Sequence, residues 1–256
     1  MHGHRGARAI YPENTIPSFQ YAIDAGADAI EMDLAVTQDD AVVVSHDPFI
    51  NPKICAGPHP EALIRTLTLA ELKEYDCGAF KNPRFPRQQP LPGTRIPTLS
   101  DVLSLASRGD FQFDIEIKSF PEYPELSPSP DTFARLVLEQ IREHKLERRA
   151  VVQSFDFRVL RSMHRLAPEI RLSALWEGQA RAFAEVAEEA QASIVSPQFG
   201  LITAEQVETA HAHNLAVVPW TANSEDAWRR LIEAGVDGII TDDPAGLISY
   251  LKEAAV

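Results

Sequence analysis

The stretch AVVQSFDFRVLRSMHRLAPEIRLSALW, residues 150–176, reads as strand, helix, strand, and the rest of the chain is read outward from it. Ala150–Phe155 is short, apolar and rich in β-branched residues, as strands are. Residues 156–167 carry helical periodicity, and Arg171–Trp176 is a second apolar run. A helix of that length between two strands implies a parallel crossover. The same unit recurs downstream, with runs at Ser193–Gln198, Leu215–Thr221 and Val236–Asp242 separated by helices near 179–190, 203–213, 224–234 and 244–254. Thr203 and Ser224 are suited to cap two of these helices, and Gly235 to end one. Upstream lie Phe111–Lys118 with a helix at 131–145, and His2–Arg5 and Ala29–Thr37 around a helix from Thr15 to Ala25. Eight strand–helix units are the number that closes a TIM (β/α)8 barrel. An open doubly wound sheet would alternate in the same way, but eight regular units favour the barrel.

Two segments depart from the repeat. Ala41–Asp47 (AVVVSHD) follows its preceding strand after only Gln38–Asp40, too few residues for a parallel crossover, so it is expected to fold back on Ala29–Thr37 as a hairpin. With Asp39 and Asp40 as a two-residue turn, Asp33 would pair with His46. The segment Pro48–Pro97 holds nine of the nineteen prolines, and NPRFPRQQPLPG within it suits neither helix nor strand. Only TLAE at 68–71, a capping-box pattern, and residues 98–106 suggest helices there. We expect one barrel domain over 1–256 with an insertion at about 48–97, ordered by Leu63, Leu67, Leu69, Leu72 and Phe80.

Strand alternation places Glu31 and Asp33 of AIEMDLAVT on one face and Met32 on the other. In FDIEIKS, Glu116 and Lys118 share a face with Asp114, while Ile115 and Ile117 point into apolar packing. Adjacent carboxylates repel unless a cation sits among them. Three of them, Glu31, Asp33 and Glu116, meet where barrel enzymes keep their sites, and suit one divalent cation, Mg²⁺ or Ca²⁺, better than zinc. His4 and His46 fall near the same mouth. Beside a hard cation, imidazoles serve better as proton-transfer groups than as ligands. His2 falls one step below the rim, and His59, His144, His164, His211 and His213 lie in loops or helices.

Composition narrows the partners. A formal charge of −13 on 256 residues argues against nucleic acid and against stable association with an anionic membrane, while a small-molecule anionic substrate could still bind where local positive charge outweighs that field. No run reaches 18 apolar residues. Nothing resembles a secretory leader, so a cytoplasmic protein is expected, and with it unbridged Cys55 and Cys77.

The order of these residues, HRG and PENT, then ExD, TxDxxxVxxHD and ExK over residues 1–118, resembles the glycerophosphodiester phosphodiesterase family. RIPTLSDVL, VVQSF at 151–155, PWTAN at 219–223 and GVDGIITDDP at 235–244 extend the resemblance. It implies a TIM barrel with a small insertion after the HD motif, and metal-dependent hydrolysis of a glycerophosphodiester to an alcohol and glycerol 3-phosphate. His4 and His46 match the general acid and base, and Glu31, Asp33 and Glu116 the metal ligands. Arg5 and Lys118 match cations near the phosphate, and Trp220 the aromatic on the glycerol side. Glu13 of PENT belongs to the pattern in a supporting place. NPKICAGPHPEALIRTLT departs from the usual insertion, and its prolines suit a fixed cover over the mouth. Two alternatives remain: a phospholipase D-like lyase that forms cyclic phosphates, and a barrel that binds phosphate esters without turnover.

Overall fold

The computed structural model describes residues 1–254. Its strands are β1 (His2–Gly3), β2 (Ala29–Val36), β3 (Val42–Val44), β4 (Gln112–Ile117), β5 (Ala150–Ser154), β6 (Arg171–Trp176), β7 (Ile194–Pro197), β8 (Ala216–Val217) and β9 (Ile240–Thr241). All but β3 run parallel, in the order β8-β7-β6-β5-β4-β2-β1-β9. The two ends meet: Ile240 N–H donates to Pro219 O, and Ala222 N–H to Ile240 O, each at 3.0 Å. The result is the expected α/β barrel. Strands β1, β8 and β9 are shorter than the apolar runs suggested. Pro219 has no N–H for a ladder, and Arg5 and Gly6 turn the chain out of β1 at φ 50° and 87°.

The helices wrap the sheet's outer face. α1 (Ile16–Ala25) is capped by Thr15, whose hydroxyl accepts from Ser18 N–H, and ends at Gly26 in the left-handed region at φ 96°. α2 (Leu69–Leu72) and α3 (Leu99–Leu103) both open with capping boxes, from Thr68 and Thr98. α4 (Pro130–Glu143), α5 (Phe157–Leu166), α6 (Phe183–Ala190), α7 (Ala204–Ala212), α8 (Glu225–Glu233) and α9 (Pro244–Ala254) follow the downstream strands.

Period-two alternation sorts the strand residues between two environments. Met32, Leu34, Ile115, Ile117 and Val152 point outward and are fully or almost fully buried against Phe19, Phe133, Val137, Leu160 and Met163. Each such side chain contributes roughly 1.5–3 kcal/mol. The inward residues of the same strands, Glu31, Asp33, Asp114, Glu116, Gln153, Ser173 and Ser196, are buried but polar. This polar lining is what the outer apolar layer holds in place.

β3 does fold back on β2, but in a different register. Val36 pairs with Val42 and Leu34 with Val44, so the turn has three residues, 38–40, with Asp40 at φ 60°. The left-handed Asp40 closes the loop, a conformation that Asp tolerates. Asp33 therefore faces Ser45, whose N–H donates to Asp33 O at 2.9 Å, and not His46.

Residues 48–97 share a small apolar cluster with Val43 of β3, in which Ile50, Ile64, Leu72, Tyr75 and Ile96 are also buried. Leu67 and Leu69 pack against it, whereas Phe80 is 47% exposed and takes no part. Cys55 and Cys77 are joined by a disulfide within this cluster, contrary to the expectation of unbridged thiols. Sequence separation cannot report that Ala56 and Asp76 form a backbone bridge that places their neighbours side by side. A disulfide belongs to oxidising surroundings, at odds with the reducing compartment from which unbridged thiols were expected. Among the described residues no helix is long and apolar enough to cross a membrane.

Candidate active site

The sheet's register brings the acids together. β2 and β4 pair with Asp33 beside Glu116 and Glu31 beside Asp114. One ligand oxygen from each of Glu31, Asp33 and Glu116 lies within 4.8 Å of the others. These carboxylates are 1%, 1% and 7% exposed, so water does little to screen their repulsion. Burial, with Asp33, Glu116 and Asp114 adding, holds Glu31 well above the usual carboxylate range. Glu116 is raised as well, by burial and Asp33 against the pull of Lys118. Asp33 goes the other way: burial would raise it, but Arg5 and Lys118 hold it well below. A cluster with two carboxyls pushed up is one that a divalent cation would relieve. Asp33 Oδ1 supports the same fit: it has no hydrogen-bond donor, since Lys118 Nζ at 3.2 Å lies outside bonding geometry.

Two cations cross the cluster. Lys118 Nζ donates to Glu116 Oε1 at 2.6 Å, and despite burial its partners push its pKa up to about 12. Arg5 has its N–H on Glu31 Oε2 at 2.9 Å, its Nη1 on Glu13 Oε1 at 2.6 Å and its Nε 3.0 Å from Asp33 Oδ2. The positive φ of Arg5 makes this grip possible, and Gly6 follows because a Cβ there would stand 2.6 Å from the backbone of Ser18. Glu13, which also accepts from Arg8 Nε at 2.7 Å, is thus an anchor for both arginines.

His4 stands on the barrel side. Its Nδ1 is 2.5 Å from Asp242 Oδ1, and its Nε2 is 3.9 Å from Glu31 Oε2. Burial first, then Arg5 and Arg8, lower its pKa against the opposing effect of Asp242. His46 reaches the same space from the end of the hairpin, with Nδ1 2.8 Å from Asp47 Oδ1. It arrives because β3 stops at Val44 and the chain turns, not because a strand face presents it.

A cavity of about 590 Å³ joins these groups. His4, Arg5, Glu13, Glu31, His46, Glu116, Lys118 and Trp220 line it, and Asp33 lies behind them. Trp220 is held by its indole N–H on Ser196 O at 2.8 Å and stacks edge-on against Phe155 at 5.5 Å between centroids. Lys53, Asn82 and Arg84 reach the cavity from the 48–97 segment. His2 sits deeper, with Nδ1 2.7 Å from Asp114 Oδ2.

Several residues of this site carried no role in the sequence reading. Asn14 Nδ2 donates to Asp33 Oδ2 at 2.8 Å, and Gln153 Nε2 to Glu31 Oε1 at 3.2 Å. Asp47 and Asp242 support the two histidines. The available signal was a polar residue in a buried strand for Gln153, and the PENT, HD and TDDP patterns for the others.

Known proteins resemble this chain over nearly its whole length. The sequence profile of the Glycerophosphoryl diester phosphodiesterase family matches residues 4–246. A protein of Caldanaerobacter subterraneus subsp. tengcongensis named glycerophosphodiester phosphodiesterase is 33% identical over 251 residues, covering 98% of this chain and 96% of that one. A crystal structure from Silicibacter pomeroyi DSS-3, described under the same family name, superposes with a TM-score of 0.92 at 30% identity, covering 100% of this chain and 93% of the other. An Oleispira antarctica phosphodiesterase, crystallised with its product sn-glycerol-3-phosphate, shares the fold with a TM-score of 0.84 at 24% identity, over 98% and 96% of the chains.

Proposed function

We propose how this chain, which belongs to the glycerophosphoryl diester phosphodiesterase family, carries out its hydrolysis: a glycerophosphodiester is cleaved to an alcohol and glycerol 3-phosphate. The observation that carries this reading is the meeting, in one cavity, of buried carboxylates with two histidines on either side. A phosphodiester is an anion with a poor alkoxide leaving group. Its cleavage needs positive charge on the phosphoryl oxygens and a proton for the leaving oxygen.

Glu31, Asp33 and Glu116 would hold a divalent cation, Mg²⁺ or Ca²⁺, whose chemistry when bound is to neutralise phosphoryl charge. Lys118 is paired with Glu116 and Asp33, and with those carboxylates holding a cation its charge would be free for the phosphate. Arg5, anchored by Glu13, supplies a fixed positive charge on the cavity wall. One of His4 and His46 takes a proton from the attacking oxygen, and the other donates one to the alkoxide as the P–O bond breaks. The attacking oxygen is that of water, or the substrate's own glycerol 2-hydroxyl, in which case a cyclic phosphate forms as the alcohol leaves and water then opens it to glycerol 3-phosphate. Trp220 and Phe155 form the apolar wall for the glycerol carbons. We read residues 48–97 as a fixed insertion in a single barrel domain, placing Lys53 and Arg84 beside the departing alcohol.

The disulfide keeps one second reading in play, because the phospholipase D-like lyases that resemble this fold commonly carry bridges. A panel of glycerophosphodiesters and lysophospholipids, followed by phosphorus NMR and coupled detection of glycerol 3-phosphate, separates the two. Glycerol 3-phosphate as end product is expected. Accumulating cyclic phosphate would favour the lyase, and no turnover of any member would leave only a binding barrel.

A further inference from the structure

One buried carboxylate reaches the cavity's chemistry without belonging to the acidic cluster. Asp242 follows β9, is 5% exposed, and lies 238 residues from His4 in sequence. Its Oδ1 is 2.5 Å from His4 Nδ1. Its other oxygen accepts from Asn223 Nδ2 at 2.8 Å, while its own backbone N–H donates to Asn223 Oδ1 at 2.9 Å. Thr241 Oγ1 donates to that same amide oxygen at 3.2 Å, so only one orientation of the Asn223 amide satisfies all three bonds. His4 is tied to this strand a second time, by its backbone N–H on Thr241 O at 2.8 Å.

We propose that Asp242, oriented by Asn223, is a positioning residue that fixes His4 as its Nδ1–H tautomer and turns Nε2 into the cavity. The proposal rests on the hydrolytic reading of His4 above. An ionised carboxylate only accepts, so the ring nitrogen facing it carries the hydrogen and the other nitrogen of a neutral ring keeps its lone pair. That lone pair faces the reacting space, equipping His4 to accept a proton there. Asp242 then stabilises the imidazolium that forms, as a buried partner carboxylate does in hydrolytic triads. Among the described residues no other carboxylate is placed to do this: Glu31 Oε2 lies 3.9 Å from the opposite nitrogen, beyond hydrogen-bond reach.

Asp242→Asn tests the idea with almost no change in volume. Asn223 Nδ2 still requires an acceptor, so the new amide keeps its oxygen there and turns its NH₂ toward His4. The ring is then forced into the Nε2–H tautomer. We expect kcat to fall on the order of 10²-fold or more with KM within about twofold. Asn223→Ala leaves the carboxylate and removes its support, and should lower kcat about tenfold. The ¹⁵N shifts of the His4 ring, assigned by comparison with His4→Ala, read the tautomer whether or not the protein turns over. Nδ1–H in the wild type and Nε2–H in Asp242→Asn is the expected result. The same tautomer in both, or an unchanged kcat in both variants, overturns the proposal. Should Asp242→Asn fail to fold, the kcat of Asn223→Ala decides. A wild type without turnover would refute the hydrolytic reading alone, since the ring spectrum still reports on Asp242.

Discussion

His4 and His46 face one cavity from two differently built regions. His4 belongs to the barrel: its backbone bonds to β9, its ring to Asp242, and every partner comes from a distant stretch of chain packed beneath helices. His46 belongs to the exit of a hairpin and is supported locally. Asp47, the next residue, takes its Nδ1, and Asn51, four residues on, takes Asp47 at 3.0 Å. The His4 side chain is 12% exposed and that of His46 37%. The barrel half holds charge by burial, while the insertion half depends on a small cluster and one disulfide. A change in the first half should therefore be felt in chemistry and stability together, and a change in the second mainly in how substrate is received.

The largest effect should come from the histidines themselves. His4→Ala and His46→Ala are each expected to lower kcat by roughly 10² to 10⁴, measured at saturating substrate and metal. Near wild-type turnover in either variant would break the two-histidine scheme.

Opening the bridge should separate the halves. With both cysteines changed to serine, the loss of the disulfide is expected to cost about 2–4 kcal/mol of stability and to raise KM more than it lowers kcat. Thermal unfolding and steady-state kinetics on the double variant check this. A kcat loss as large as that of His46→Ala, with KM unchanged, would show that the insertion controls chemistry directly.

Glu31→Gln should be stabilising without metal and useless with it. The raised pKa of Glu31 in the folded protein means that its contribution is fully present below the unfolded carboxylate pKa and is lost as pH rises through the folded value. The variant's advantage in EDTA should therefore grow from acid to neutral pH, reaching about 1–3 kcal/mol, a few degrees in Tm. Divalent cation should then raise the wild-type Tm more than that of the variant. A variant less stable than wild type in EDTA at neutral pH would contradict the strained cluster.

The smallest effect belongs to the rim. Lys53 and Arg84 line the cavity without a carboxylate partner among the described residues, and their alanine variants should change KM by a few-fold while leaving kcat alone. A kcat loss would place them at the reacting phosphate instead.

The same division governs what could be read from the sequence. The barrel half was legible because two periodicities fix it: alternation put Glu31 and Asp33 inside and Met32 outside, and the helix lengths between strands demanded parallel pairing. The His46 half was legible in composition and not in geometry. A three-residue turn closed by a left-handed Asp40 shifts the hairpin register by one, and nothing in Asp39–Asp40 distinguishes two turn residues from three. His46 still reaches the cavity because the chain leaves the sheet after Val44. Contacts between remote stretches, such as Asp242 with His4 and Cys55 with Cys77, need the closed barrel and the folded insertion before they exist, so spacing alone could not announce them.

The central claim, that buried carboxylates of β2 and β4 hold a cation required for phosphodiester hydrolysis, is tested most directly by following a glycerophosphodiester by phosphorus NMR. EDTA-treated protein is expected to leave the diester signal unchanged until Mg²⁺ or Ca²⁺ is added, after which it decays to a phosphomonoester, and Glu31→Gln should stay silent throughout. Hydrolysis in EDTA at the metal-supplemented rate would contradict the account.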